Sequence, residues 1–262
     1  MSDSLHQLIG RHRSDPLPER KPSWLRVKAP GRANYGRPKG LMKELDLHTV
    51  CEEARCPKPH RVATAIAEMN LRHAFITSVD RDDLPDFGAD IFAEIIRQIH
   101  ARLPTCSVEV LVPDFHGNEE AIRAVLAAEP EIDNRNTETV PRLYKRARPG
   151  GLYERVLNIF RFAKRVAPHI PTKTGIIVGL GETVEEIVAV MRDLRSVIVD
   201  ILTLGQYLRP SDGHLPLDRY YTPDEFRELQ TIGMSMVFRH VESGPLVRSS
   251  YHAWEQVQAA GV

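Results

Sequence analysis

Thr174-Gly175-Ile176-Ile177-Val178-Gly179-Leu180-Gly181-Glu182-Thr183 is the stretch on which the fold turns. Its first six residues are a short apolar run bounded by glycine, the pattern of a strand buried on both faces. At Gly179-Leu180-Gly181 the chain turns, and glycine there permits positive φ or a close backbone approach. Thr183 with Glu186 three residues on is a capping box, so a helix starts at once. Strand, tight turn and helix in direct succession are half of a βαβ unit. Ligands of such units collect where the strand ends and the next helix presents its N-terminus.

The same alternation runs outward in both directions. Further strands are expected over residues 73–79, 107–112 and 200–204, with a shorter one around 134–139. Helical spacing is clear in Val62, Ile66 and Met69, in Ile91, Ile95, Ile96, Ile99 and Leu103, and in Leu152, Val156, Ile159, Phe160 and Ala163. A second capping box, Thr222 with Glu225, has Pro223 at the first helical position. This pattern predicts an α/β fold with a parallel sheet of about five strands, short of the eight of a closed barrel. Residues 1–45, rich in proline and arginine, read as an extended wrapping segment. Residues 46–240 read as the α/β body and 241–262 as a C-terminal segment.

Composition narrows the function classes. Lys plus Arg and Asp plus Glu are 35 each, so no global field favours nucleic acid or an anionic membrane. No apolar run is long enough to span a bilayer, and Pro16, Pro18, Glu19 and Arg20 stand where a signal peptide needs an apolar core. Three cysteines, Cys51, Cys56 and Cys106, do not make a secreted disulfide framework, so a reducing, cytoplasmic setting is expected.

Chemistry-bearing residues concentrate in a few places. Cys51 and Cys56 form a C-x4-C pair in a polar stretch, Leu47 to Pro57. By itself such a pair is a weak metal signal. Cys106, beside a strand start, reads as a buried thiol. Thr77-Ser78-Val79-Asp80-Arg81-Asp82-Asp83-Leu84, Asn136-Thr137-Glu138-Thr139, Lys173 and the Gly179–Gly181 turn are all expected at the carboxyl ends of strands. Asp80, Asp82 and Asp83 are read equally well as a polar loop. Arg248-Ser249-Ser250-Tyr251 taken alone is a solvated turn.

Taken together, these segments resemble lipoyl synthase, a radical S-adenosylmethionine enzyme, over roughly residues 20 to 255. The resemblance implies a partial (β/α) barrel. It also implies two four-iron clusters, S-adenosylmethionine as cofactor, a reducing electron donor, and octanoylated lipoyl carrier domains or a glycine cleavage H-type protein as partner. It places Cys51, Cys56 and Ser250 at the auxiliary cluster. Thr77, Ser78, Asn136, Glu138, Lys173, Gly179 and Gly181 fall in the S-adenosylmethionine pocket. In the family, the interval after Cys56 holds a third cysteine, the first barrel strand and a C-x3-C-x2-C loop. Here it holds only Pro57-Lys58-Pro59. The barrel is therefore expected to lack its first strand, and the chain as written to be inactive. The alternatives are a non-catalytic homologue that binds carrier domains or S-adenosylmethionine, and an incomplete gene product. Phe87 and Ile198 stand where the family has glycine, so strain is expected if φ is positive there. Arg135 stands where histidine is usual, and Asp133 where an aromatic residue is usual.

Overall fold

A computed structural model describes residues 21–25, 40–42, 44–45 and 58–261. Six parallel strands form one sheet in chain order: β1 (His73–Thr77), β2 (Ser107–Leu111), β3 (Ile132–Asn134), β4 (Thr172–Val178), β5 (Ile201–Gln206) and β6 (His240–Gly244). The sheet is open, with β1 and β6 at its two edges. Between and around the strands run α1 (Pro59–Glu68), α2 (Ala89–Arg102), α3 (Glu119–Leu126), α4 (Pro141–Ala147), α5 (Tyr153–Val166), α6 (Val184–Ser196), α7 (Pro223–Ser235) and α8 (Ala253–Ala260). Each crossover steps one strand further in the same direction. Right-handed crossovers then place the connecting helices on a single face, and the opposite face becomes concave.

Strand alternation sorts the side chains. Ala74, Val108, Val110, Ile176, Val178, Leu202, Leu204 and Val241 are buried beneath the helices. Helix α6 shows how the helical layer is secured. Ile187, Val190, Met191 and Leu194 recur at helical spacing and are fully buried, each contributing about 1.5–3 kcal/mol. Helix α5 bridges the two halves of this outer core, with Ile159 and Phe162 in one and Val156 and Phe160 in the other. On the other face Trp254 and Val257 of α8 pack on Ile132 and Ile201, at the first residues of β3 and β5. That packing closes the amino-terminal end of the concave face. Among the described residues the carboxyl end stays open.

The strand count is six rather than about five. β6 extends the sheet to Gly244, into the segment expected to follow the body. Among the described residues no strand precedes β1. Both capping boxes form: Thr183 Oγ1 accepts from Glu186 N, and Thr222 Oγ1 from Glu225 N. The expected strain is present as well, because Phe87 has φ 56° and Ile198 has φ 63°.

Candidate functional site

The concave face is polar at its floor. Lys173 of β4 is completely buried, its Nζ 2.8 Å from Glu109 Oε1 on β2. Glu109 Oε1 also accepts from Asn134 Nδ2 at 2.6 Å, and His73 Nε2 lies 3.7 Å from Glu109 Oε2. The ammonium donates a further bond to the Ser249 carbonyl at 2.7 Å. A buried ion pair persists when extra hydrogen bonds take up its remaining lone pairs and protons, and Asn134 and Ser249 supply them here. Burial lowers the Lys173 pKa, with Glu109 acting against that shift.

Above the floor, at the carboxyl ends of β3, β4 and β5, lies a cleft of about 250 Å³. Asn136, Glu138, Ile177, Tyr207 and Arg248 are among its walls. Asn136 Oδ1 accepts from Ser249 Oγ at 2.9 Å, and the Asn136 side chain hydrogen-bonds the Glu138 carboxylate. Arg148 Nη1 holds the Asn136 carbonyl at 3.0 Å. Burial raises the Glu138 pKa, partly offset by Asn136 and by the charge of Arg148. Glu138 itself sits at φ 70°, a conformation unfavourable for a side-chain-bearing residue, yet it bridges in register with Ile176. Such outliers persist where surrounding structure dictates them, and they gather at ligand sites.

Two strand glycines let the C-terminal segment cross this face. A Cβ at Gly175 would stand 2.9 Å from both Asn136 Oδ1 and Thr203 Oγ1. One at Gly205 would collide with the Val247 carbonyl. The turn after β4 is built just as closely. Gly179 has φ 107°, and a Cβ there would lie 2.6 Å from the Arg219 carbonyl. Glu182 accepts from the backbone N–H groups of Gly179 at 2.5 Å and Leu180 at 2.9 Å. Gln206, fully buried, donates to the carbonyls of Val178, Tyr207 and Arg219 and accepts from Tyr221 N. Its amide is therefore committed to holding the 217–221 strap against this turn.

The expected site residues thus divide. Asn136 and Glu138 line the cleft, and Gly179 and Gly181 form the turn beside it, Gly181 at φ 99°. Lys173 lies below, its ammonium engaged by Glu109 and Ser249. Thr77 ends β1, and Ser78 donates to the Val79 carbonyl at 2.9 Å. Ser250 is exposed at the turn, whereas its neighbour Ser249 faces the cleft. Asp83 pairs with Arg81, which holds its carboxyl below the ordinary range, and Asp82 pairs with His116. Cys51 and Cys56 lie outside the described residues. Cys106 is buried under the helices immediately before β2, at the end of the sheet away from the cleft. Burial pushes its thiol up to about 11. Among the described residues no group of three or more His, Cys, Asp or Glu side chains is placed to hold a metal ion.

Sequence reasoning passed over Glu109, Asn134 and Ser249, along with the close approach at Gly175 and Gly205. Only the glycines had a local signal, since glycine inside a strand marks a point where another backbone comes near.

Residues 57–194 match the family model of the radical SAM superfamily, and residues 4–56 match that of the N-terminal domain of lipoyl synthase of the radical SAM family. The chain is 49% identical to a lipoyl synthase of Rubrobacter xylanophilus, over 92% of this chain and 87% of that one. It is 50% identical to a lipoyl synthase of Koribacter versatilis, over 92% and 93%. The Rubrobacter alignment runs over 280 positions, while 92% of 262 residues is about 241. About 39 aligned positions therefore have no residue in this chain. Among solved structures, HydG, a maturase of the [FeFe]-hydrogenase, superposes with a TM-score of 0.57 at 16% identity, covering 82% of this chain and 49% of that one. Methylornithine synthase superposes with a TM-score of 0.54 at 13% identity, covering 82% and 73%. These two share the fold.

Proposed function

The chain belongs to the lipoyl synthase family of the radical SAM superfamily, and from that premise we propose that its cleft takes S-adenosylmethionine without turning it over. The family consists of radical sulfurtransferases of lipoate biosynthesis, which insert sulfur at C6 and C8 of a protein-bound octanoyl chain. It implies four-iron clusters and S-adenosylmethionine. Asn136 and Glu138 offer the ligand a donor and an acceptor at the rim. The Gly179–Gly181 turn stands beside the cleft, with its close approach taken up by Arg219 and Asp218 of the strap, and Thr77 and Ser78, at the end of β1, are not among the residues that line it.

Cys106 carries the second half of the proposal. A radical cluster needs three thiolates at the carboxyl end of the sheet. The chain has three cysteines in all, and Cys106 is buried at the opposite end. Cys51 and Cys56 are left, together with the hydroxyl of Ser250, and two thiolates do not hold either cluster of the family. The donor set does not fit, and no chemical step follows from it. The roughly 40 missing positions fit best between Cys56 and Pro57. The two family models meet there, and only Lys58 separates Pro57 from α1.

Losses confined to one block favour an incomplete gene product over gradual decay. A coding segment with C-x3-C-x2-C at that junction of the nucleotide sequence would establish that origin. The test of the protein is direct. After anaerobic reconstitution with iron and sulfide, it is incubated with S-adenosylmethionine, a strong reductant and an octanoylated carrier peptide. Neither 5′-deoxyadenosine nor thiolated peptide should rise above background, and turnover of either would overturn the proposal.

A further inference from the structure

We propose that Ser249 is a positioning residue: its hydroxyl locks Asn136 and Glu138 into a ligand-holding arrangement and so links the C-terminal turn to occupancy of the cleft. The inference rests on the cleft being a nucleoside pocket, as proposed above. Three bonds carry it. Ser249 Oγ donates to Asn136 Oδ1 at 2.9 Å, across 113 residues of chain. With its oxygen occupied, the Asn136 amide has only its NH₂ to offer Glu138, and the two side chains are hydrogen-bonded. The Ser249 carbonyl accepts from Lys173 Nζ at 2.7 Å, which fixes the turn to the buried floor. The relay therefore runs in one direction, from Ser249 through Asn136 to Glu138. It leaves the carboxylate with free lone pairs toward the cleft, suited to accept from the vicinal hydroxyls of a ribose.

Arg148 steadies the Asn136 backbone from the other side, and its charge favours the ionised form of Glu138. Gly175 allows the three groups to meet, since a Cβ there would stand 3.4 Å from Ser249 Oγ and 2.9 Å from Asn136 Oδ1. Coupling between sites is reciprocal. If the turn organises the pocket, a ligand in the pocket must hold the turn closed. A turn that merely obstructed the cleft would instead be released by ligand, so the two arrangements differ in sign.

The full chain provides the test, with S-adenosylmethionine as probe. Without ligand, trypsin is used to release residues 249–262 by cleavage after Arg248, followed by mass spectrometry. Ser249→Ala and Asn136→Ala should each accelerate that release, and Ser249→Thr should restore the wild-type rate. No acceleration by Ser249→Ala overturns the clasp, whatever the pocket binds. With ligand, release should slow in the wild type, and faster release would overturn the linkage. Calorimetry should show Ser249→Ala binding about fivefold more weakly, the equivalent of one net hydrogen bond. Ser249→Thr should match the wild type, and Ser249→Ala should add nothing in an Asn136→Ala background. Full additivity there would overturn the relay. A wild-type chain that binds no S-adenosylmethionine overturns the pocket reading and the linkage with it, while the ligand-free arm still scores the clasp separately.

Discussion

Ile198 shows how one side chain works against its own backbone. It sits at φ 63° with 56% of its surface exposed, so it bears the cost of a left-handed conformation and buries little in return. Replacing it with glycine removes a clash that costs roughly 1–2 kcal/mol, less the extra chain entropy of glycine in the unfolded state. Ile198→Gly should therefore stabilise the protein by about 1 kcal/mol, a rise in Tm of about 2–4 °C. An unchanged or lower Tm by calorimetry would show that the strain is absent. Phe87, at φ 56°, differs because its ring packs on the core and lies 5.2 Å from that of His116. Glycine there would forfeit those contacts. Asp133 and Arg135, two departures from the family pattern, explain one another. Both are buried on the same side of β3, with Arg135 Nη2 3.2 Å from Asp133 Oδ1. Arg135 also donates to the Pro113 carbonyl and covers the Phe115 ring. Either residue without the other would leave a buried charge unpaired.

Between elements, a few polar contacts hold helices to strands. His100 on α2 meets Glu131 at 3.2 Å, and Glu131 also accepts from Val108 N at 2.5 Å, tying α2 and the approach to β3 onto β2. The hydrogen bond that the His100 ring donates to Glu131 raises the His100 pKa above its ordinary 6.5. The Glu131 carboxyl lies below its ordinary 4.5: burial pushes it up, but His100 and the Val108 N–H outweigh that. The histidine contribution is complete below pH 6.5 and fades as pH rises through the raised folded value. The carboxylate contribution is complete above pH 4.5 and fades as pH falls through the lowered one. The stability difference between the wild type and His100→Gln should therefore be widest between about pH 4.5 and 6.5 and narrow toward pH 8. Denaturant melts across that range check it, and a flat difference would dismiss the pair. At the β5 crossing, Gly205→Ala should push the Val247 carbonyl off the strand, costing about 1–3 kcal/mol as overpacking does. It should also loosen the C-terminal segment. Unaltered stability and unaltered protease release of residues 249–262 would show that the approach is less tight than it stands here.

For the whole molecule, an open parallel sheet leaves two edges. Among the described residues β1 pairs with β2 alone, so within them its outer side is a strand edge, the kind of surface that recruits another chain. Self-association at tens of micromolar is the expected outcome. A monodisperse, cooperatively unfolding monomer in sedimentation experiments would count against it. Much of this architecture was legible from local pattern. Apolar runs and capping boxes identified β1, β2, β4 and β5 and the helices α6 and α7, because burial and helix ends impose their own periodicity and residue types. β6 escaped because His240-Val241-Glu242-Ser243-Gly244 has one core residue, Val241. Its strand identity comes from pairing with β5. Glu109, Lys173, Asn136 and Ser249 have no short-range relation, and their partners lie 64 and 113 residues away. By itself, then, the sequence determined the fold class and the shortage of thiols, which follow from composition, spacing and local pattern, while the family came from its resemblance to known lipoyl synthases. Only the tertiary structure decided that Lys173 is paired beneath the cleft and that Ser249 rather than Ser250 faces it. Those are facts about which distant residues share one face, and a parallel sheet settles them by register and crossover, not by anything within a single segment.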